Sequence, residues 1–421
     1  MTKKLTVIAV LLTMLFSVSA VFANGGQEDQ EIVLEWPCIW VGQDSKAPAV
    51  AALVEEFNAD HEGEIRVEIE PQPDYDGYEQ KIRTSLATGE VPDIFTMKWN
   101  PTTQQYYESE YLMDFSGMMS SEWREDFIEG TLNEVVLDGE MKSIPYEMAI
   151  TPIWYNMDLL NEAGFSEIPQ TMEEFNSLAD ALKENDIVPT SQMTGGSNAW
   201  TSMLWYSHIL GSLGGPDVYD MPLTDQVYVD AAEILLNLYS DGNTTRDAVG
   251  GDAGVSGGHY LAGRTAMFIN GPWYIGRVRE DAPDVYEATQ VGPAPAAGEY
   301  EDAMVGFLQA NFAAADSDDA DRNAAVIEFL QWMTAPENVW EIASTAGSMF
   351  AVKFDVPSDA EIDPLQAQFI ETANEAEFQI RHLEGAFSSE LISEFGQALG
   401  AMALGEATPE EFVDMLIEAS N

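Results

Sequence analysis

Four short stretches of the chain set a large ring beside a carboxylate or an amide, and a fifth sets two rings together. Trp40 stands three and four residues before Gln43 and Asp44, Trp99 precedes Asn100, and Tyr146 precedes Glu147. Asn198 comes two residues before Trp200, and Trp273 is followed at once by Tyr274. An aromatic face packs against the C–H face of a pyranose, whose hydroxyls need fixed hydrogen-bond partners, so these residue types together suit a sugar. Ordinary packing at domain edges is the competing explanation for any single ring.

The elements around these residues decide whether they can meet. A strand is expected at Glu31 to Trp40, followed by a helix in APAVAALVEEFNAD, an alternating strand IRVEIEP and a helix in YEQKIRTSLATG with Gly89 as its C-cap. A short strand, Asp93 to Thr96, completes a β-α-β-α-β order that implies a parallel sheet covered on both faces. Later the strand MAITPIWY leads into four helices, one with Thr171 as N-cap and Glu174 three residues on, the signature of a capping box. TAMFI is a strand ending at Asn270-Gly271-Pro272, and Val249 to Gly258 is expected to be a surface loop. In open parallel sheets ligands bind beyond the carboxyl ends of the strands. Trp40, Trp99 and Trp273 all fall at such exits.

With 421 residues the chain is too long for one ordinary core, so two α/β units are expected. Lys3 and Lys4 precede the apolar run LTVIAVLLTMLFSVSA, and Val21-Phe22-Ala23 supplies small residues at −3 and −1, so residues 1–23 read as a signal peptide cleaved after Ala23. The alternative, an uncleaved anchor, needs an apolar run of about 20 residues, longer than this one. Cys38, the one cysteine, excludes an internal disulfide and lies too far from the cleavage site to be lipidated.

Removing the two leader lysines leaves 15 basic against 73 acidic residues, a net charge of −58. Such a field repels nucleic acid and anionic lipid, so neither is expected as a partner. G-x-S-x-G occurs at Gly254 to Gly258, yet the preceding TTRDAVGGDA does not read as the buried strand that a nucleophile elbow requires. His61, His208, His259 and His382 show no metal-binding spacing, DSDDADRN lacks the glycine and closing glutamate of a calcium loop and reads as a helix cap, and no phosphate-cradling loop is present. No cofactor is called for.

Several segments together resemble the extracellular solute-binding proteins of ABC sugar importers, the family that includes maltose-binding protein. They are VEEFNADHEGEIRVEIE, SLATGEVPDIF, IPYEMAITPIWYNMDLLNEAGFSEIPQTMEEFNSLA, LAGRTAMFINGPWYIGRV and AVIEFLQWMTAPENVWEIASTAG. The resemblance implies an α/β, two-lobed periplasmic-binding-protein fold, each lobe a mainly parallel sheet flanked by helices, with hinge crossovers between lobes. It divides the chain into an N-terminal lobe of 28–147 and 305–346 and a C-terminal lobe of 152–302 and 350–421. Trp273 matches the family's sugar-stacking tryptophan and Asp44 its ligand-bonding aspartate. Ser45 stands where the maltose binder has lysine and Ala149 where it has an acidic cleft residue, departures that speak against a maltodextrin. Phe387 or Phe395 is a candidate for the last stacking aromatic, and Arg381 for a further cleft residue.

The reading is thus a periplasmic, monomeric, non-enzymatic binder that closes two lobes around a mono- or oligosaccharide and hands it to an ABC transporter permease. The same fold carrying a polyamine or an organophosphate, a secreted serine hydrolase acting through Ser256, and an adhesive surface protein are the alternatives. The acidity implies a saline setting in which counterions screen self-repulsion. The melting temperature of the mature protein should therefore rise between low and molar salt, which calorimetry in the two buffers will read.

Overall fold

The computed structural model describes residues 31–98, 103, 106–128, 131–195, 199–240, 242–301, 303–357 and 360–420. The leader expected at 1–23, together with Trp99, Asn100 and Asn198, lies outside them.

The chain opens with β1 (Ile32–Cys38), α1 (Ala47–Asp60), β2 (Ile65–Pro71), α2 (Tyr75–Thr88) and β3 (Ile94–Met97). In α1 the residues Ala49, Val50, Leu53, Val54 and Phe57 recur at helical spacing and all are buried. Gly89 closes α2 with φ of 77°, a left-handed position that favours glycine. β1 and β2 pair in parallel, Ile32 opposite Ile65. β3 instead pairs antiparallel with a long later strand, β8 below, so the β-α-β-α-β order does not yield one parallel sheet.

The segment expected as the single strand MAITPIWY is two strands, β4 (Ile144–Ile150) and β5 (Ile153–Asn156). Between them Thr151-Pro152 interrupts the ladder, since proline has no N–H to donate. Next come α3 (Met157–Glu162), α4 (Met172–Glu184), α5 (Trp200–Gly214), α6 (Gln226–Asn237) and α7 (Ala253–Leu261). Thr171 does accept from the Glu174 N–H at 3.2 Å, but the Glu174 carboxylate reaches the Gln170 N–H, so the cap is not the reciprocal box expected. The supposed loop at 249–258 gives way to helix, because Asp252 accepts from the Val255 N–H at 3.1 Å and starts α7.

β6 (Met267–Ile269) is followed by a 3₁₀ turn at Pro272–Tyr274, then by α8 (Ile275–Asp281) and β7 (Thr289–Gly292). β8 (Ala303–Ala314), α9 (Ala320–Met333), α10 (Pro336–Ala346) and β9 (Met349–Phe350) lead to α11 (Pro364–Glu375), β10 (Phe378–Ile380), α12 (Ser389–Ala403) and α13 (Pro409–Ala419). Asp319 caps α9, as DSDDADRN suggests.

β8 spans both lobes. Its first residues pair in parallel with β10, while its later ones run antiparallel to β4 and to β3. Among the described strands, parallel pairing joins β1 to β2 and β8 to β10 while the other strand pairs are antiparallel, so the strands are not mainly parallel. Leu308, Ala310 and Phe312 enter the first lobe's core, with Trp36, Trp40, Phe57 and Tyr146. Val305 enters the second lobe's core, with Tyr155, Trp205 and Phe395. Packing thus places the crossings near 147–151 and 305–308. Phe350, Ala351 and Val352 still pack in the first lobe, whereas Leu365 and Phe369 pack with Trp154 of the second. The third crossing therefore falls after 354 rather than at 346–350, because the Lys353 N–H bonds the Asp126 carbonyl at 2.7 Å and holds this stretch in the first lobe.

An ion pair fastens the first lobe's edge. Asp93 accepts from the Glu35 N–H at 2.8 Å and from Arg322 Nη2 at 2.7 Å, and the same nitrogen donates to the Val33 carbonyl at 2.8 Å. Asp93 is mostly buried. Replacing it with alanine leaves a backbone N–H and a guanidinium short of partners, a loss of about 1–3 kcal/mol. Urea unfolding of Asp93→Ala should show a lower midpoint with an unchanged slope.

Candidate functional site

A cleft of about 1170 Å³ lies between the lobes, larger than the ~300–1,000 Å³ of most small-molecule sites. Its walls come from strand exits and helix starts: the β1–α1 loop and the start of α2 from the first lobe, the starts of α5, α7, α8 and α12 from the second, and β8 beneath. This is the arrangement that places loops, and not core, around a ligand.

In the second lobe, Trp273 follows β6 because Pro272 opens a 3₁₀ turn there instead of letting the strand run on. Trp200 opens α5. The two rings touch on the cleft wall, centroids 5.8 Å apart and planes at 53°, and both are half-buried. Tyr274 also lines the cleft, packed on Phe268 and Trp154, with the Arg277 guanidinium 5.6 Å from its ring centroid. Burial pushes its phenol up to about 12, so it stays a neutral donor. Asn270 and Gln309 add amides to the wall and floor.

The first lobe contributes differently from the sequence expectation. Trp40 borders the cleft but is only 1% exposed, enclosed by Tyr146, Phe312 and Trp36 at centroid distances of 5.5, 5.7 and 5.9 Å. Its indole N–H donates to Glu147 Oε2 at 3.3 Å. Tyr146 is fully buried, its hydroxyl donating to the Met333 carbonyl at 2.9 Å, because the alternation of β4 turns it into the core. Glu147 is buried as well and fully engaged, accepting from Ser348 Oγ at 3.3 Å and paired with Lys46 Nζ at 2.9 Å. Asp44 lines the cleft, 3.2 Å from the same ammonium, and Gln43 is exposed at its lip.

Lys46 is thus a buried cation between two carboxylates, a residue the sequence reading passed over although it stands two places after Asp44. Burial alone would lower its pKa, but Asp44 and Glu147 overcome that and hold it above the ordinary lysine value. Burial pushes the Glu147 carboxyl up, and Lys46 opposes the shift. Lys98 and Glu384 were also passed over. They line the cleft from opposite lobes 3.4 Å apart. Burial would raise Glu384, yet Lys98 and His382 hold it down to about 2. The signal for these two lay beside residues already marked, Trp99 and Arg381.

The remaining expectations fall away from the cleft. Phe387 packs on Tyr219 and Tyr228, Phe395 is sealed in the second core, and Arg381 points to the Gly385 carbonyl at 3.4 Å. Ala149 is buried opposite Phe307 in the β4–β8 ladder. Ser256 sits inside α7, fully buried, its hydroxyl donating to the Ser191 carbonyl, so it has none of the exposure of a nucleophile elbow.

Removing the buried cation leaves Glu147 and Asp44 facing each other, and breaking such a buried pair costs about 3–5 kcal/mol. Lys46→Met should be destabilised by that amount at pH 8 and by less at pH 5. With the ammonium gone, burial and Asp44 raise the Glu147 pKa against only the weaker pull of the Trp40 hydrogen bond, so protonation relieves the strain as pH falls. Urea titrations at the two pH values measure both effects.

Comparison with known proteins agrees with this geometry. The match that decides the family covers residues 43–340 and is to the model of the bacterial extracellular solute-binding proteins. The diacetylchitobiose binding protein DasA of Streptomyces coelicolor is 29% identical over 154 residues, 36% of this chain and 35% of the relative. The maltotriose-binding protein of Pyrococcus abyssi is 21% identical over 307 residues, 72% of this chain and 63% of the relative. In both the match spans less than two thirds of the relative's own length. Among solved structures, a chitin oligosaccharide binding protein superposes with a TM-score of 0.81 at 21% identity, covering 92% of this chain and 98% of the other. RafE in complex with raffinose gives a TM-score of 0.75 at 17% identity, covering 93% and 99%. With a two-lobed fold, an interlobe cleft and a family match over most of its length, the chain belongs to the bacterial extracellular solute-binding proteins.

Proposed function

We propose that the protein captures an oligosaccharide in the interlobe cleft, outside the cytoplasmic membrane, and delivers it to an ABC transporter permease. The observation that carries this reading is the pair of touching, half-exposed rings of Trp200 and Trp273 on the cleft wall. Adjacent rings offer apolar surface to successive sugar units, while Asp44, Asn270 and Gln309 offer hydrogen-bond partners nearby. The size of the cleft favours an oligosaccharide over a single sugar. The relatives point the same way, since their names carry diacetylchitobiose, maltotriose, chitin oligosaccharide and raffinose. Secretion follows from the leader read at residues 1–23, and the mature chain acts as a monomer. Among the described residues no helix is long and apolar enough to cross a membrane.

The charges of the cleft argue for a neutral cargo. Lys46 and Lys98 are each paired with carboxylates, Arg83 lies 3.4 Å from Glu79, and Arg277 lies 3.5 Å from Asp281. A polyamine would meet these cations, and an organophosphate would meet the more numerous carboxylates. A polyhydroxylated neutral ligand satisfies both sets by hydrogen bonds.

A thermal-shift screen of sugars against the mature protein identifies the cargo, because a ligand at 100 times its Kd stabilises by about 2.7 kcal/mol. For the sugar so found, Trp273→Ala should lose about 1–3 kcal/mol of binding free energy, as buried aromatic contacts do. Unchanged affinity in calorimetry removes Trp273 from the site.

A further inference from the structure

Two contacts between the lobes flank the cleft. At one lip the β1–α1 loop touches α8 at both ends: Gln43 Nε2 donates to Asp281 Oδ1 at 3.0 Å, and Gly276 approaches so closely that a Cβ there would lie 3.2 Å from Ser45 Cα. At the other, Lys98 leaves β3 in the first lobe and reaches Glu384, which follows β10 in the second. Their side chains are only 13% and 11% exposed, so water and salt screen the pair weakly. The Tyr75 ring lies 4.8 Å from the ammonium, and His382 Nδ1 lies 3.4 Å from the Glu384 carboxylate.

We propose that Lys98 and Glu384 form an interlobe latch that favours the closed arrangement of the empty protein and thereby raises its affinity for ligand. Opening separates the two charges and returns them to water, and closing desolvates both, which is tolerable only when each finds the other. Lys98 has a second task. Glu79 and Asp76 of the first lobe also act on its ammonium, so without it those carboxylates and Glu384 of the second lobe repel across the cleft. The cation therefore turns a repulsive lobe contact into an attractive one. A ligand that binds the closed form gains whatever population the latch supplies in advance. The proposal rests on the capture reading only for this effect on affinity, since lobe closure is measured without sugar.

Small-angle scattering of the mature, ligand-free protein tests it, with Lys98→Met, Glu384→Gln and the double variant, each checked for folding by circular dichroism. Lys98→Met should show the larger radius of gyration, because it leaves the carboxylates uncompensated. Glu384→Gln should open the protein less, and the double variant should be more compact than Lys98→Met alone. Should Lys98→Met fail to fold, Glu384→Gln carries the decision against wild type. Affinity for the sugar found in the screen should fall on the order of tenfold in Lys98→Met. Scattering curves that superimpose on wild type overturn the latch, even where affinity falls, because direct contact with the sugar then accounts for the loss. A wild type that binds no sugar would instead sink the capture reading and leave the scattering result to stand on its own.

Discussion

The first lobe's side of the cleft is organised around one buried ammonium. Lys46 Nζ lies 2.9 Å from Glu147 and 3.2 Å from Asp44. Two carboxylates this close would not both ionise in a dry interior without a cation between them. With it, Glu147 can accept from the Trp40 indole and from Ser348, tying the β1–α1 loop to β4 and to the chain entering β9. Asp44 is left on the cleft wall with its direction fixed. Its backbone neighbour helps, because the Lys46 N–H also donates to Asp44 Oδ1 at 2.9 Å.

This arrangement divides labour between the lobes. The first presents anchored polar groups over a floor of enclosed rings, and the second presents the half-buried rings of Trp200 and Trp273. A sugar has a polar rim and apolar faces, and a site built from one wall of each kind matches it without burying an unpaired charge. The ligand that touches both walls is also the one that favours closure, since differential contact with the two lobes is what shifts the equilibrium.

Much of the fold was legible because periodicity reports burial directly. The apolar positions of α1 and the alternation of β2 fall where the sequence places them, and the turn after TAMFI ends a strand as Asn270-Gly271-Pro272 implies. What the sequence hid is long-range. Nothing local reveals that β3 pairs with a strand more than two hundred residues away, or that β8 serves both lobes. Within the site, proximity to a strand exit drew attention to Trp273 and Trp40 alike and could not distinguish a ring on a wall from one beneath it. Trp40 and Tyr146 are sealed because β8 delivers Phe312 against them. Arg381 and Phe387 drew attention by type, whereas Glu384 between them is the residue that faces the cleft.

The surface charge gives the cleft cations a significance beyond their number. In a chain of formal net charge −56 that carries only 17 basic residues, Lys46, Lys98, Arg83 and Arg277 all line one groove. Two strongly acidic lobes repel as they approach, and the repulsion is greatest where they touch and water is expelled. Cations placed at that contact cancel it locally while the outer faces stay acidic and solvated. A uniformly acidic cleft would hold itself open and draw cations, whereas a uniformly basic one would draw anions. On the capture reading, paired charges of both signs suit a groove that closes on a neutral molecule while the outer faces stay acidic.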